Sequence, residues 1–181
     1  MIAESEATAE VAAIYDDIKR TTNAPIVGNL YRAMAASPNV LKGFWEAQKL
    51  MAMETSLPAS LCEMILMAIA ASKDCTYCHA AHKLGCVSVG VDMDTVNALE
   101  GDLAGLTPRR VQAIIQFSIK CAKQPQELVA ADYQAVRDQG VSDDELVEII
   151  GLAALGNAAD TLADAMKVDV DDMITQALAA A

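Results

Sequence analysis

The stretch EMILMAIAASKDCTYCHAAH, residues 63–82, decides the reading of this chain. It opens with Glu63, the one charged residue between Pro58 and Ala71, and continues as an apolar run. It then reaches Cys75, Cys78, His79 and His82 within eight residues. Asp74 reads as the N-cap of a helix starting near Cys75, because a carboxylate there accepts the free N–H groups of the first turn. Positions 75, 78, 79 and 82 would then share one helix face, by the three-and-four spacing of a helix. Two thiols one turn apart can close a disulfide. The positive end of the helix favours thiolate, the reactive form, and on that ground Cys75 is the better nucleophile and the more exposed thiol.

Three other chemistries compete for the same residues. Cys75-Thr-Tyr-Cys78-His79 has the form of a C-x-x-C-H haem attachment site. Covalent haem attachment needs export, however, and the start MIAESEATAE is acidic where a secretory leader is basic. A zinc site would draw on four donors strung along one helical face, about 10 Å from end to end, which do not surround a tetrahedral ion. No second C-x-x-C supplies the missing side. The remaining alternative is a pair of inert core thiols.

Glu63 weighs against inertness. An unpaired carboxylate in an apolar helix is costly, so it must be paired or held protonated. Either way it is a candidate general base beside a thiol. His82, one turn after Cys78, can pass a proton between them.

Around this stretch the chain reads as helix almost throughout. Over 181 residues, 54% are hydrophobic but only 4% aromatic, so Ala, Leu, Ile, Val and Met carry the apolar load, and that balance favours helix over strand. Helical stretches are expected at about 7–20, 28–36, 38–53, 58–72, 75–85, 92–100, 107–123, 126–139 and 142–166, separated by proline and glycine breaks. Thr107-Pro108 reads as N-cap and first helical residue, and Ser142-Asp-Asp-Glu145 as a capping box. Val87–Val91 is the nearest approach to a strand, and Gly90 interrupts it. The expectation is one all-α domain over 1–181, with the redox-motif core at about 40–105.

Charge and apolar runs limit the partners. With 25 acidic against 13 basic residues, net −12, the surface repels phosphate backbones, so nucleic acid is not expected. No basic amphipathic helix offers itself to a membrane, and the longest apolar run, Leu61 to Ala71, is too short to span one. These features point to the cytoplasm, where five cysteines are not a disulfide framework. Cys62 and Cys121 read as core residues and Cys86 as a thiol without a role. Met51, Met53, Met64 and Met67 read as packing. Gly156-Asn-Ala-Ala-Asp160 reads as a polar interruption of an apolar helix, more simply structural than functional.

Glu63, Cys75, Cys78 and His82 together form E-x(11)-C-x-x-C-x-x-x-H. This motif resembles that of the alkylhydroperoxidase D-like branch of the carboxymuconolactone decarboxylase superfamily. The match is strongest over 57–86, with looser helical similarity over about 40–165. The resemblance implies a multi-helix bundle that assembles as a homo-trimer or homo-hexamer. It also implies reduction of hydroperoxides by a dithiol: Cys78 attacks, Cys75 resolves, Glu63 and His82 relay protons, and an external dithiol or lipoyl-type reductant resets the pair. Neither a cofactor nor a metal is part of that scheme. Members of the branch often carry a histidine just before the second cysteine. Here Tyr77 stands there and His79 follows, so these two are accessory candidates. The alternatives are the decarboxylase or isomerase chemistry found elsewhere in the superfamily, and a non-catalytic helical assembly protein whose cysteine pair senses redox state.

Overall fold

The longest buried run in the chain, Leu61 to Ala70 with Glu63 as its one interruption, forms the centre of the molecule as helix α4, Ala59–Ser72. A helix that is apolar on nearly every side has to be covered on nearly every side. In this computed structural model, which describes residues 1–180, the cover is entirely helical. The elements before α4 are α1 (Ala9–Thr22), α2 (Asn29–Met34) and α3 (Pro38–Gln48). Those after it are α5 (Thr76–Ser88), α6 (Met93–Glu100), α7 (Arg109–Lys123), α8 (Ala130–Arg137), α9 (Asp143–Ala165) and α10 (Asp172–Ala180). No strand occurs among the described residues. Ala181, the last residue of the expected 1–181 span, lies outside them.

The core has two parts. One joins α4 to α6, α7, α8 and the first half of α9 through residues such as Ile65, Ile69, Ile114, Ile149 and Leu152. The other packs α1, α2 and α3, with Tyr15, Leu41 and Trp45, against the end of α4, the start of α5 and the last turns of α9. Cys75 and Cys78 belong to the second part.

Several local expectations are corrected. Asp74 is not an N-cap. It has φ +58° and ends α4 instead: the Asp74 N–H donates to Ala71 O (3.2 Å) and the Cys75 N–H to Ala70 O (3.0 Å). This is the left-handed helix stop that returns two of the last carbonyls their partners. Cys75 itself is the N-cap of α5, its carbonyl accepting from His79 N at 2.9 Å. Likewise Pro108, not Thr107, caps α7, which begins at Arg109. The Val87–Val91 segment completes α5 to Ser88 and then turns at Gly90, whose φ is +81°.

α3 runs on through a π-helical turn, Lys49–Met53, a wide turn often found beside functional sites. α8 begins at Ala130, after a short 3-10 turn at Pro125–Glu127. α10 follows a bend after Ala165 that the sequence reading left uncounted. The Ser142–Glu145 capping box forms with both hydrogen bonds, at 3.2 and 2.9 Å. Against the expectation from apolar runs, α9 is long and apolar enough to cross a membrane. Half of its most apolar window is buried within the fold, on α4 and α7.

Candidate active site

α4 and α5 form a helical hairpin whose tight turn carries Cys75. Locked between the stop of one helix and the start of the next, Cys75 is fully buried, and Cys78, one turn later, is 3% exposed. The expectation that Cys75 is the more exposed thiol does not hold. The stop motif draws its backbone under α4 rather than out to solvent.

Cys78 lines a cavity of about 220 Å³ at the seam between the two core parts. Glu63 comes to the same cavity from α4 and His82 from α5. Glu63 Oε2 lies 2.8 Å from His82 Nδ1, and both side chains are partly covered. Of the two fates open to a carboxylate in this helix, pairing is the one realised. With Nδ1–H donating to the carboxylate, the neutral imidazole keeps a free lone pair on Nε2. Gly85 makes room for this arrangement: a Cβ there would stand 2.6 Å from Glu63 Cδ. A second cavity, of about 340 Å³, also carries Glu63 and His82 on its wall, so the pair stands between two voids.

The accessory candidates turn elsewhere. The ring of Tyr77 borders the cavity, but its hydroxyl donates to Asp171 Oδ2 (3.0 Å) and accepts from Leu30 N (3.2 Å). Burial holds that phenol well above its ordinary pKa. His79 is drawn to the opposite side of α5. Its Nε2 lies 3.0 Å from Glu100 Oε1, which also accepts from Lys83 (2.7 Å). His79, Glu100 and Cys75 border a surface depression that Cys78 does not reach. The two cysteines thus line different hollows.

Sequence reasoning missed Asp160. The helix α9 brings this residue, 1% exposed, up to the cysteine pair: one carboxylate oxygen and the two Sγ atoms all lie within 4.8 Å of one another. Close approach of α9 to α4 makes this placement. Gly156, one turn earlier, leaves no room for more, since a Cβ there would meet Leu66 Cδ2 at 3.0 Å. Asp160 Oδ2 has no hydrogen-bond partner, and Lys73 Nζ lies 3.6 Å away. Burial pushes this carboxyl above the ordinary carboxylate range, opposed by Cys78, Lys73 and Cys75. The signal was available. An acid within an apolar helix, the test that singled out Glu63, applies equally to Asp160. Tyr31 and Gln48 were also missed. They face the cavity joined by a 2.7 Å hydrogen bond, in which Tyr31 donates to Gln48 Oε1.

Cys78 is strongly held in its thiol form, first by its hydrogen bond with Cys75, then by burial and by Asp160. Adjacent buried sulfurs do not both ionise readily, so the pair gives up one proton long before the second. A thiol in this state needs a base, and the Glu63–His82 pair lines the same cavity. Cys62, Cys86 and Cys121 are pushed up by burial, to about 11, 12 and 11. Cys86 is fully buried. Met64 and Met67 are core residues, while Met51 and Met53 are exposed at the π-turn. The two sulfurs and Asp160 form the one trio of convergent metal-type donors among the described residues.

Neither a family model nor a curated protein matches the sequence. Solved structures do match. An alkylhydroperoxidase AhpD core from Ralstonia eutropha, a peroxidase-related protein, superposes with a TM-score of 0.81 at 23% identity over 91% of this chain and 90% of that one. A peroxidase-related protein from a Silicibacter species gives 0.83 at 19% identity over 92% and 87%. The debrominase Bmp8, in a complex with 2,3,4-tribromopyrrole, gives 0.80 at 14% identity over 95% and 91%. The chain has the all-helical AhpD-like fold of these structures.

Proposed function

We propose that this protein is a dithiol peroxidase that reduces hydroperoxides through Cys75 and Cys78. The observation that carries the reading is the Glu63–His82 hydrogen bond on the wall of the cavity that also holds Cys78. His82, oriented by Glu63, takes the proton of the Cys78 thiol. The thiolate attacks the distal oxygen of the hydroperoxide and breaks the O–O bond. Cys78 becomes a sulfenic acid, and the alkoxide leaves with the proton held on His82. Cys75 then displaces hydroxide from the sulfenic sulfur, giving water and a Cys75–Cys78 disulfide. An external dithiol, of the lipoyl type, returns both sulfurs to thiols and is itself oxidised to a disulfide. The reading includes a reducing, cytoplasmic setting and assembly into a homo-trimer or homo-hexamer. Nucleic acid and membrane have no part in it.

Steady-state consumption of an alkyl hydroperoxide with dihydrolipoamide as donor tests the reading. Turnover in the wild type and its loss in Cys78→Ser and Glu63→Gln are expected. Equal turnover in all three proteins would remove the mechanism.

A second reading is favoured by the debrominase among the structural neighbours. It keeps the dithiol and changes the electrophile. A bromoarene would take two electrons and a proton from the pair, releasing bromide and leaving the disulfide. The mostly apolar cavity wall, with Leu30, Phe44, Leu66 and Leu155, suits such a ring. Bromide release from tribromopyrrole without hydroperoxide turnover would select it.

A further inference from the structure

We infer that Asp160 is a second catalytic base, which takes the proton of Cys75 as that thiol closes the disulfide. The inference rests on the dithiol cycle proposed above and adds to it a separate acid–base group for the resolving step.

Three observations converge on this role. The Asp160 carboxylate stands with both sulfurs in one cluster, all within 4.8 Å of one another, so it lies beside the reacting atoms rather than acting through another group. It is 1% exposed, and its Oδ2 has no hydrogen-bond partner. Buried polar atoms are nearly always hydrogen-bonded, and this oxygen has only the Lys73 ammonium at 3.6 Å besides the dithiol. Finally, it approaches the pair on α9, while Glu63 and His82 stand on α4 and α5. The fold thus supplies two acid–base groups, one for each proton that the reduced pair must release.

The groups facing Asp160 set its charge. From the turn after α4 comes Lys73, at 3.6 Å. From α5 come the two thiols, with His82 more distant. On α9 itself Asn157 accepts a hydrogen bond from Lys73. Lys73 is therefore tethered beside the carboxylate, where it favours the ionised form against burial. Without that cation a carboxylate so covered would stay protonated and accept nothing from a thiol.

The step balances as follows. The sulfur of Cys75 attacks the sulfenic sulfur of Cys78, forming the S–S bond as the S–OH bond breaks. The proton of Cys75 passes to Asp160. Hydroxide leaves Cys78 and becomes water with that same proton, handed on by Asp160. Oxidation of Cys75 is coupled to reduction of the sulfenic sulfur, so no further oxidant is needed. When the external dithiol reopens the disulfide, Asp160 takes a proton from that dithiol and passes it to the departing Cys75 thiolate.

Ring closure can be followed without any peroxide. The reduced protein is mixed with 2,2′-dithiodipyridine, which forms a mixed disulfide with release of one thiopyridone. The second thiopyridone leaves when the neighbouring thiol closes the Cys75–Cys78 bond, and Cys75→Ser identifies that phase by abolishing it. Wild-type closure should accelerate with pH through an inflection set by Asp160. In Asp160→Asn, closure at neutral pH should slow at least tenfold and the inflection should vanish. In Lys73→Gln the inflection should move to higher pH, because the lost cation no longer favours the carboxylate. Wild-type rate and pH profile in Asp160→Asn would overturn the inference. If that variant does not fold, Lys73→Gln decides: a raised inflection supports the role and an unmoved one overturns it. Closure that depends on Asp160 in a protein without hydroperoxide turnover would sink the peroxidase reading and leave this one standing.

Discussion

The Glu63 carboxylate rests in the place that a side chain at Gly85 would fill. A Cβ at that position would stand 2.6 Å from Glu63 Cδ and 3.2 Å from Oε1. The gap on α5 therefore positions the carboxylate for His82 as much as α4 does. Gly85→Ala should leave the fold intact, since what must shift is the tip of one flexible side chain and Ala favours helix by about 1 kcal/mol over Gly. The displaced carboxylate loses its hold on His82 Nδ1. Turnover should fall about tenfold to a hundredfold, less than the roughly 10²–10⁴-fold of general acid–base catalysis because Glu63 is displaced rather than removed, with no loss in thermal stability. Paired turnover and melting measurements check this.

Tyr77 is expected to act on stability rather than chemistry. Its hydroxyl ties α5 to Asp171, just before α10, and to the Leu30 N–H in α2. Tyr77→Phe leaves that buried N–H without a partner, which costs about 1–3 kcal/mol. Urea denaturation should show that loss. Turnover, measured where both proteins are folded, should stay within a few-fold of the wild type.

Asp160 should make the fold less stable as pH rises. Its carboxyl is raised in the folded state, so above the unfolded value near 3.9 the native chain holds a proton that the unfolded chain has released. Stability is therefore full below that value and falls toward the raised one, by up to about 1.4 kcal/mol per pH unit. Asp160→Asn lacks this dependence. Compared at about pH 4.5 and about pH 7, the stability difference should shift in favour of the Asn variant at the higher pH. Chemical denaturation of both proteins at both values measures it, and an unchanged difference would show that Asp160 carries its charge at no cost.

Much of this arrangement is legible in the sequence because its signals are local. The unbroken run after Glu63, the glycine and proline breaks and the Ser142–Glu145 capping box each act within a few residues, and the all-helical fold follows from them. Glu63, the two cysteines and His82 sit on adjacent helices, so spacing alone brings them near. Asp160 escapes that logic. It joins the cysteines through the packing of α9 on α4, and only the close approach at Gly156 makes the contact. The misreading of Asp74 has a different cause. Aspartate suits both an N-cap and a left-handed helix stop, and the choice depends on where the preceding helix ends. His79 follows Cys78 directly, but it pairs with Glu100 in the hollow beside Cys75 and does not line the Cys78 cavity.

The most direct measurement is a single turnover. The reduced protein receives one equivalent of an alkyl hydroperoxide, is quenched with an alkylating agent under denaturing conditions, and is read by peptide mass spectrometry. Loss of the peroxide should be matched by a Cys75–Cys78 disulfide, with Cys62, Cys86 and Cys121 recovered as alkylated thiols. Their burial and raised pKa values keep them inert in the folded state. In Cys75→Ser, Cys78 should be found as its sulfenic acid. All five thiols recovered alkylated, with the peroxide intact, would contradict the peroxidase reading outright.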